Sequence, residues 1–175
     1  MKVLMAYLGR RGGGNIYSLE MARGLSSKVD LVCLLSSYID NRHEWEKSDF
    51  KSIFIPTYTG IYSALRSLVS VQNYKKIQRI IKTEGPEIIY YPMLHPWASF
   101  INATAARGLC KIVTVHDSHP HLGEQNKVLE WFQYCSVRQA NRVVVLNTQA
   151  VDEVAAMGIP KECIDIIPHG SFGYY

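Results

Sequence analysis

Short apolar runs alternate with longer stretches of helical spacing along the whole chain. Val3 to Leu8 is continuously apolar and of strand length, whereas from Ile16 to Leu25 the residues Ile16, Leu19, Met21, Ala22 and Leu25 recur with a helical period. Further strands are predicted at Val29–Leu35, Ser52–Pro56, Glu87–Tyr91, Lys111–His116 and Arg142–Asn147, with a last short one in Cys163–Gly170. A long helical region covers about Tyr62 to Lys82 and is closed by Gly85-Pro86, a pair that ends helices. Several of the strands are nearly unbroken in β-branched residues, as parallel strands buried on both faces are. The alternation predicts an α/β fold: a Rossmann-like, doubly wound, mainly parallel sheet with helices on both faces.

The bulk numbers narrow the picture without redirecting it. At 175 residues, 47% hydrophobic and 19% charged, the chain fits one compact domain with a sizeable core, spanning 1–175. No apolar run approaches transmembrane length, and Lys2 leads straight into the first strand pattern with no signal-peptide layout. Cys33, Cys110, Cys135 and Cys163 are scattered, which predicts reduced, mostly buried thiols in a cytoplasmic protein. A net charge of +4, with no basic run interleaved with aromatics, gives no reason to expect nucleic acid as a partner.

Two clusters carry candidate chemistry. Gly12, Gly13 and Gly14 follow the first strand, where a parallel sheet presents its ligand-binding edge and the next helix its unpaired N–H groups. A backbone cradle for phosphate follows from that position; a plain flexible turn is the alternative. The dinucleotide fingerprint fails, because Tyr17 stands at the third glycine and the second strand ends in Leu-Leu-Ser-Ser with no acid. A P-loop fails as well, Gly14 being followed by Asn15. The second cluster is Val113–Glu124, which places His116 and Asp117 at the carboxyl end of a strand on the same sheet edge. His116, Asp117, His119 and His121 lack zinc-ligand spacing and have no supporting cysteines, so no metal is expected. His116 is suited to reach a substrate hydroxyl, while His119 and His121 read as ordinary loop residues.

Taken together, these residues resemble the N-terminal half of a GT-B glycosyltransferase, specifically the retaining glycosyltransferase family 4. The glycine turn leading into "SLEMARGL", the His-Asp after the fifth strand and the block "QANRVVVLNTQAVDEVAAMGIPKECIDIIPHG" (Gln139–Gly170) occur in the family's order. Asn147-Thr148 stands where a serine is common, and His169 replaces the usual asparagine before Gly170. The resemblance implies that Gly13 and Gly14 approach the diphosphate of a nucleotide-sugar donor and that His116 lies near the transferred sugar. It further implies Asn15, Tyr91 and His95 on the acceptor side, Asp117 ordering its loop, and His169-Gly170 as the interdomain turn. The nucleotide-sugar is then substrate rather than cofactor, and no metal is required. The chain would be the acceptor-side domain, completed by a C-terminal nucleotide-sugar domain or partner subunit and inactive alone. Its acceptor would be a glycan, a lipid-linked molecule or a small molecule.

The segment 66–84 carries Arg66, Lys75, Lys76, Arg79 and Lys82 against Glu84 alone. It reads either as the solvated outer face of a packed helix, the commoner case, or as a peripheral contact with the inner face of a membrane. Trp45, Tyr58 and Tyr62 are aromatic positions able to stack on a sugar ring or to pack in the core. Two other classes remain beside the transferase: a non-catalytic flavodoxin-like binding module, and half of a GT-B sugar-nucleotide epimerase.

Overall fold

The computed structural model describes residues 1–58, 67, 70–116 and 127–170, with the side chains of 127–130 excepted. Seven parallel strands form one sheet: β1 (Lys2–Tyr7), β2 (Asp30–Ser36), β3 (Lys51–Ile55), β4 (Ile88–Tyr91), β5 (Cys110–Val115), β6 (Arg142–Val145) and β7 (Ile164–Ile166). Their order is β3-β2-β1-β4-β5-β6-β7. The helices are α1 (Gly13–Ser26), α2 (Arg42–Glu46), α3 (Val71–Glu84), α4 (Trp97–Ala103), α5 (Lys127–Arg138) and α6 (Gln149–Ala156). Among the described residues no helix is long and apolar enough to cross a membrane.

Strand parity divides the core. Leu4, Ala6 and Leu8 join Val32, Leu34, Ile89, Tyr91, Val113 and Val143 beneath α3 to α6. Val3, Met5 and Tyr7 join Leu31, Cys33 and Leu35 on the other face, packed by Leu19 and Ala22 of α1 and by Trp45 of α2. Neighbouring residues of one strand therefore serve opposite cores, which is why these runs need no polar alternation.

Local chemistry sets the helix ends. Ser70 Oγ accepts the Asn73 N–H at the start of α3. At its other end Gly85, at φ 61°, donates its N–H to the Ile81 carbonyl, so the Gly-Pro stop acts as expected. Residues 62–66, 68 and 69 of the anticipated helix lie outside the described residues. Asn147 Oδ1 accepts the Ala150 N–H at 2.9 Å, which shows what the asparagine does at the position noted above: it caps α6. All four cysteines are free, but only Cys33 is buried; Cys110 at the start of β5, Cys135 on α5 and Cys163 in the turn just before β7 are half-buried.

The largest difference from the sequence reading concerns α1, which begins at Gly13 itself rather than after the glycines. Gly12 precedes it at φ 83°, ψ −172°, backbone that side-chain-bearing residues rarely adopt. Gly12→Ala is therefore expected to cost about 1–3 kcal/mol through backbone strain. Thermal unfolding should show it as a clearly lowered Tm, and an unchanged Tm would mean that this turn relaxes freely.

Candidate active site at the sheet switch point

Strand order reverses between β1 and β4, so the chain leaves their carboxyl ends in opposite directions and opens a crevice there. Gly9–Gly12 carry the chain from β1 to α1. The Asp40 N–H on the Arg10 carbonyl (3.0 Å) and Asp40 beside Arg11 (3.6 Å) pin this turn. Burial, and then the Asp40 carboxylate, push the Tyr7 hydroxyl up to about 12, so it stays neutral below the turn.

The start of α1 has no side-chain cap and no acid in its first turn. Among the described residues no side chain caps its N-terminal N–H groups and no acid of its own first turn offsets its dipole, and Arg10 and Arg11 flank them. A Cβ on Gly13 would meet nothing within 4 Å. On Gly14 it would come within 3.0 Å of Met93 Cε and Cγ, because α1 packs closely against the segment after β4. Of the two nominated glycines, Gly13 faces open space and Gly14 serves packing.

His116, just past β5, is tied back across this crevice: its Nε2 lies 2.9 Å from the Pro92 carbonyl. A carbonyl only accepts, so Nε2 carries a hydrogen. The His116 ring meets Tyr17 edge-on at 4.4 Å, and His169 lies 5.3 Å from Tyr17 and 5.4 Å from His116. Three elements distant in sequence thus gather a ring cluster beside the glycine start of α1. Tyr17 belongs to this cluster and was passed over in the sequence, where it registered only as a missing glycine. The signal was available: four residues beyond Gly13 is one helical turn, which puts Tyr17 on the same side. Gly170 is exposed and follows His169 on the β7 side of the crevice.

The acceptor-side residues do not gather there as a group. Asn15 is buried, and its Oδ1 accepts the indole N–H of Trp45 at 3.3 Å, linking α1 to α2. Tyr91 is fully buried and donates its hydroxyl to Asn102 Oδ1 at 2.9 Å; burial raises its pKa well above the ordinary value. Strand parity sends Tyr91 into the core under α4, while Tyr90 points to the opposite face and meets Thr114 Oγ1. Trp45 is likewise a core residue and offers no stacking surface.

His95 is different. It is buried, its Nδ1 accepts the Trp97 N–H at 3.2 Å, and its Nε2 has no hydrogen-bond partner. Burial lowers its pKa to about 3, so it is a neutral ring that holds an unused donor. Tyr58 stacks on it at 5.5 Å and Arg10 lies over the Tyr58 ring at 5.9 Å, linking His95 to the glycine turn. Asp117, His119, His121 and Tyr62 lie outside the described residues. Among the described residues no three His, Cys, Asp or Glu side chains converge as metal ligands.

Comparison with solved structures places this architecture. Anabaena Alr3699/HepE, solved with UDP and glucose, superposes with a TM-score of 0.69 at 14% identity, covering 98% of this chain and 45% of that one. UDP-GlcNAc 2-epimerase from Methanocaldococcus jannaschii gives 0.68 at 13% identity, covering 95% and 45%. A glycosyltransferase from Rickettsia africae gives 0.65 at 17% identity, covering 97% and 43%. The chain thus spans less than half the length of each of these proteins. Comparison with curated protein sequences found no match. The family model described as Glycosyltransferase Family 4 matches residues 11–171, from the glycine turn to just past His169-Gly170. With its seven-stranded Rossmann-like sheet, the chain belongs to glycosyltransferase family 4, as an N-terminal domain of the GT-B fold.

Proposed function

We propose that this chain is the acceptor-side half of an enzyme that moves a sugar, with retention, from a nucleotide-sugar to a glycan, lipid-linked or small-molecule acceptor. A C-terminal domain or partner subunit would hold the nucleotide and complete the cleft. The observation that carries this reading is the glycine-opened start of α1, without a side-chain cap, beside a His116 anchored through Nε2 to the Pro92 carbonyl, at the switch point of the sheet. That the Anabaena neighbour was solved with UDP and glucose supports a nucleotide-sugar as the ligand.

Anomeric transfer develops positive charge on the sugar and negative charge on the departing diphosphate. Fixed N–H dipoles aimed at the leaving group lower that barrier without reorganising. The α1 start supplies them, with Gly13 leaving room for the phosphates, and no metal enters the scheme. His116, held through Nε2–H on the Pro92 carbonyl, stands at the edge of the crevice where a hydroxyl of the transferred sugar would come. Asp117 would order the loop that follows it, and His169-Gly170 would lead to the second domain. His95 keeps a neutral donor on the acceptor side; Asn15 and Tyr91 support that side from within the packing.

An epimerase is the second reading, favoured by the likeness to the Methanocaldococcus enzyme. NMR of the natively expressed protein with UDP-sugars separates the two. Transfer releases nucleoside diphosphate and needs an acceptor, whereas epimerisation inverts C2 of the sugar with no acceptor present. A flavodoxin-like module would do neither. For the transferase, His116→Ala is expected to cut kcat at least tenfold with the Tm nearly unchanged. Full turnover in that variant would remove His116 from the sugar site.

A further inference from the structure

Away from the crevice, α3, α4 and α5 share an outer face that is both aromatic and cationic. Trp131 and Tyr134 stand on one side of α5, exposed 58% and 39%, and Val71 at the start of α3 is exposed 62%. These are not scattered residues. Trp131 contacts Phe132 at 5.0 Å, Phe132 contacts Phe100 of α4 at 5.6 Å, and Phe100 contacts Tyr74 of α3 at 5.9 Å. Between α3 and α4 runs an open groove of about 170 Å³ lined by Val71, Tyr74, Lys75, Phe100 and Thr104, with no carboxylate in its wall.

The helical period places Lys75 and Lys82 on the stripe of Val71, with Arg79 beside them, all exposed. Ile77 and Ile81 turn inward. Arg138 stacks on Tyr134 and donates to its hydroxyl at 3.0 Å, so α5 ends in a cation beside its aromatic pair. Among the described side chains of the three helices, Glu84 is the sole acid, and Lys51 and Lys2 already engage it. Half-exposed Trp, Tyr, Phe and Val among unneutralised Lys and Arg match a bilayer interface: aromatics enter the headgroup level and cations meet anionic phosphates.

We propose that this three-helix face seats the protein on an anionic membrane surface. Charge chooses the occupant, since among the described side chains of this face the cations meet no acid beyond Glu84, and a second copy would bring the same charges against them. The inference is independent of the donor chemistry and stands or falls without it.

Tryptophan gives the test a local reporter. Trp45 and Trp97 are fully buried, so of the three tryptophans Trp131 alone meets solvent. The natively expressed protein is mixed with vesicles of phosphatidylcholine containing 30% phosphatidylglycerol, and separately with pure phosphatidylcholine. The expected result is flotation with the anionic vesicles only, together with a blue-shifted emission that Trp131→Phe abolishes. Val71→Ser with Trp131→Ser, and separately Lys75→Glu with Arg79→Glu, should each weaken binding at least tenfold, and 1 M salt should reverse it. Absence of flotation overturns the proposal, as does flotation that both double variants retain. Protection of Trp131 from acrylamide without vesicles also overturns it, assigning the face to another part of the protein or to a second copy.

Discussion

Gly13→Val is expected to lower kcat/KM for the nucleotide-sugar at least a hundredfold while the protein stays folded. The reasoning is steric and electrostatic together. A Cβ at this position meets no protein atom within 4 Å, so the added isopropyl group would project into the space reserved here for phosphate. Pushing the leaving group away from the α1 N–H groups removes transition-state stabilisation of the kind that costs about 10²–10³ in rate when one donor is lost. The neighbouring glycines would not give a clean answer. Gly14→Val would strike Met93, and Gly12→Val would strain a backbone at φ 83°, so either could fail for reasons unrelated to donor binding. Steady-state kinetics and thermal unfolding on the same preparation decide the matter. A stable Gly13→Val protein with undiminished kcat/KM would move the phosphates elsewhere.

The second large effect is on acid stability and originates at His95. Its pKa in the folded protein, about 3, lies below the ordinary 6.5 expected of the unfolded chain. Between those values the unfolded state binds the proton and the folded state does not, so stability falls as pH drops from 6.5 toward 3. From pH 7.5 to pH 5 this one ring should remove about 2 kcal/mol. His95→Asn isolates the effect, since asparagine can accept the Trp97 N–H but does not titrate. Urea unfolding at the two pH values should show the wild type losing about 2 kcal/mol more than the variant. Parallel losses would mean that the ring protonates in place.

How much of this could be read from the sequence depended on what each residue advertises. The strands were legible because β-branched runs such as Val143–Val145 are long enough to be buried on both faces, and the Gly85-Pro86 stop acted where it stands. The start of α1 was not: glycine contributes nothing to a hydrophobic period, so the pattern surfaced only at Ile16, three residues late. Helix α2, five residues long, is shorter than the window in which a period shows. The glycine turn and His116 were legible as a pair because both follow the carboxyl end of a strand. Asn15 and Tyr91 were not legible as packing residues, since their partners Trp45 and Asn102 are 30 and 11 positions away. The orphaned donor of His95 is likewise a property of three-dimensional burial, invisible in the "HPW" that spells it.

The position of β1 has a consequence for synthesis. Of the sheet's strands this one emerges before the others, yet one of its edges stays open until β4 arrives, since Val3 aligns with Ile88, 85 residues downstream. At ~5–20 residues per second the ribosome leaves that edge unpaired for roughly 4–17 s. The nascent chain meanwhile displays apolar stretches whose neighbours do not yet exist. Its route to the folded state is therefore governed by the order of delivery, and chaperones acting at the ribosome have their natural window before residue 88 is clear of the exit tunnel.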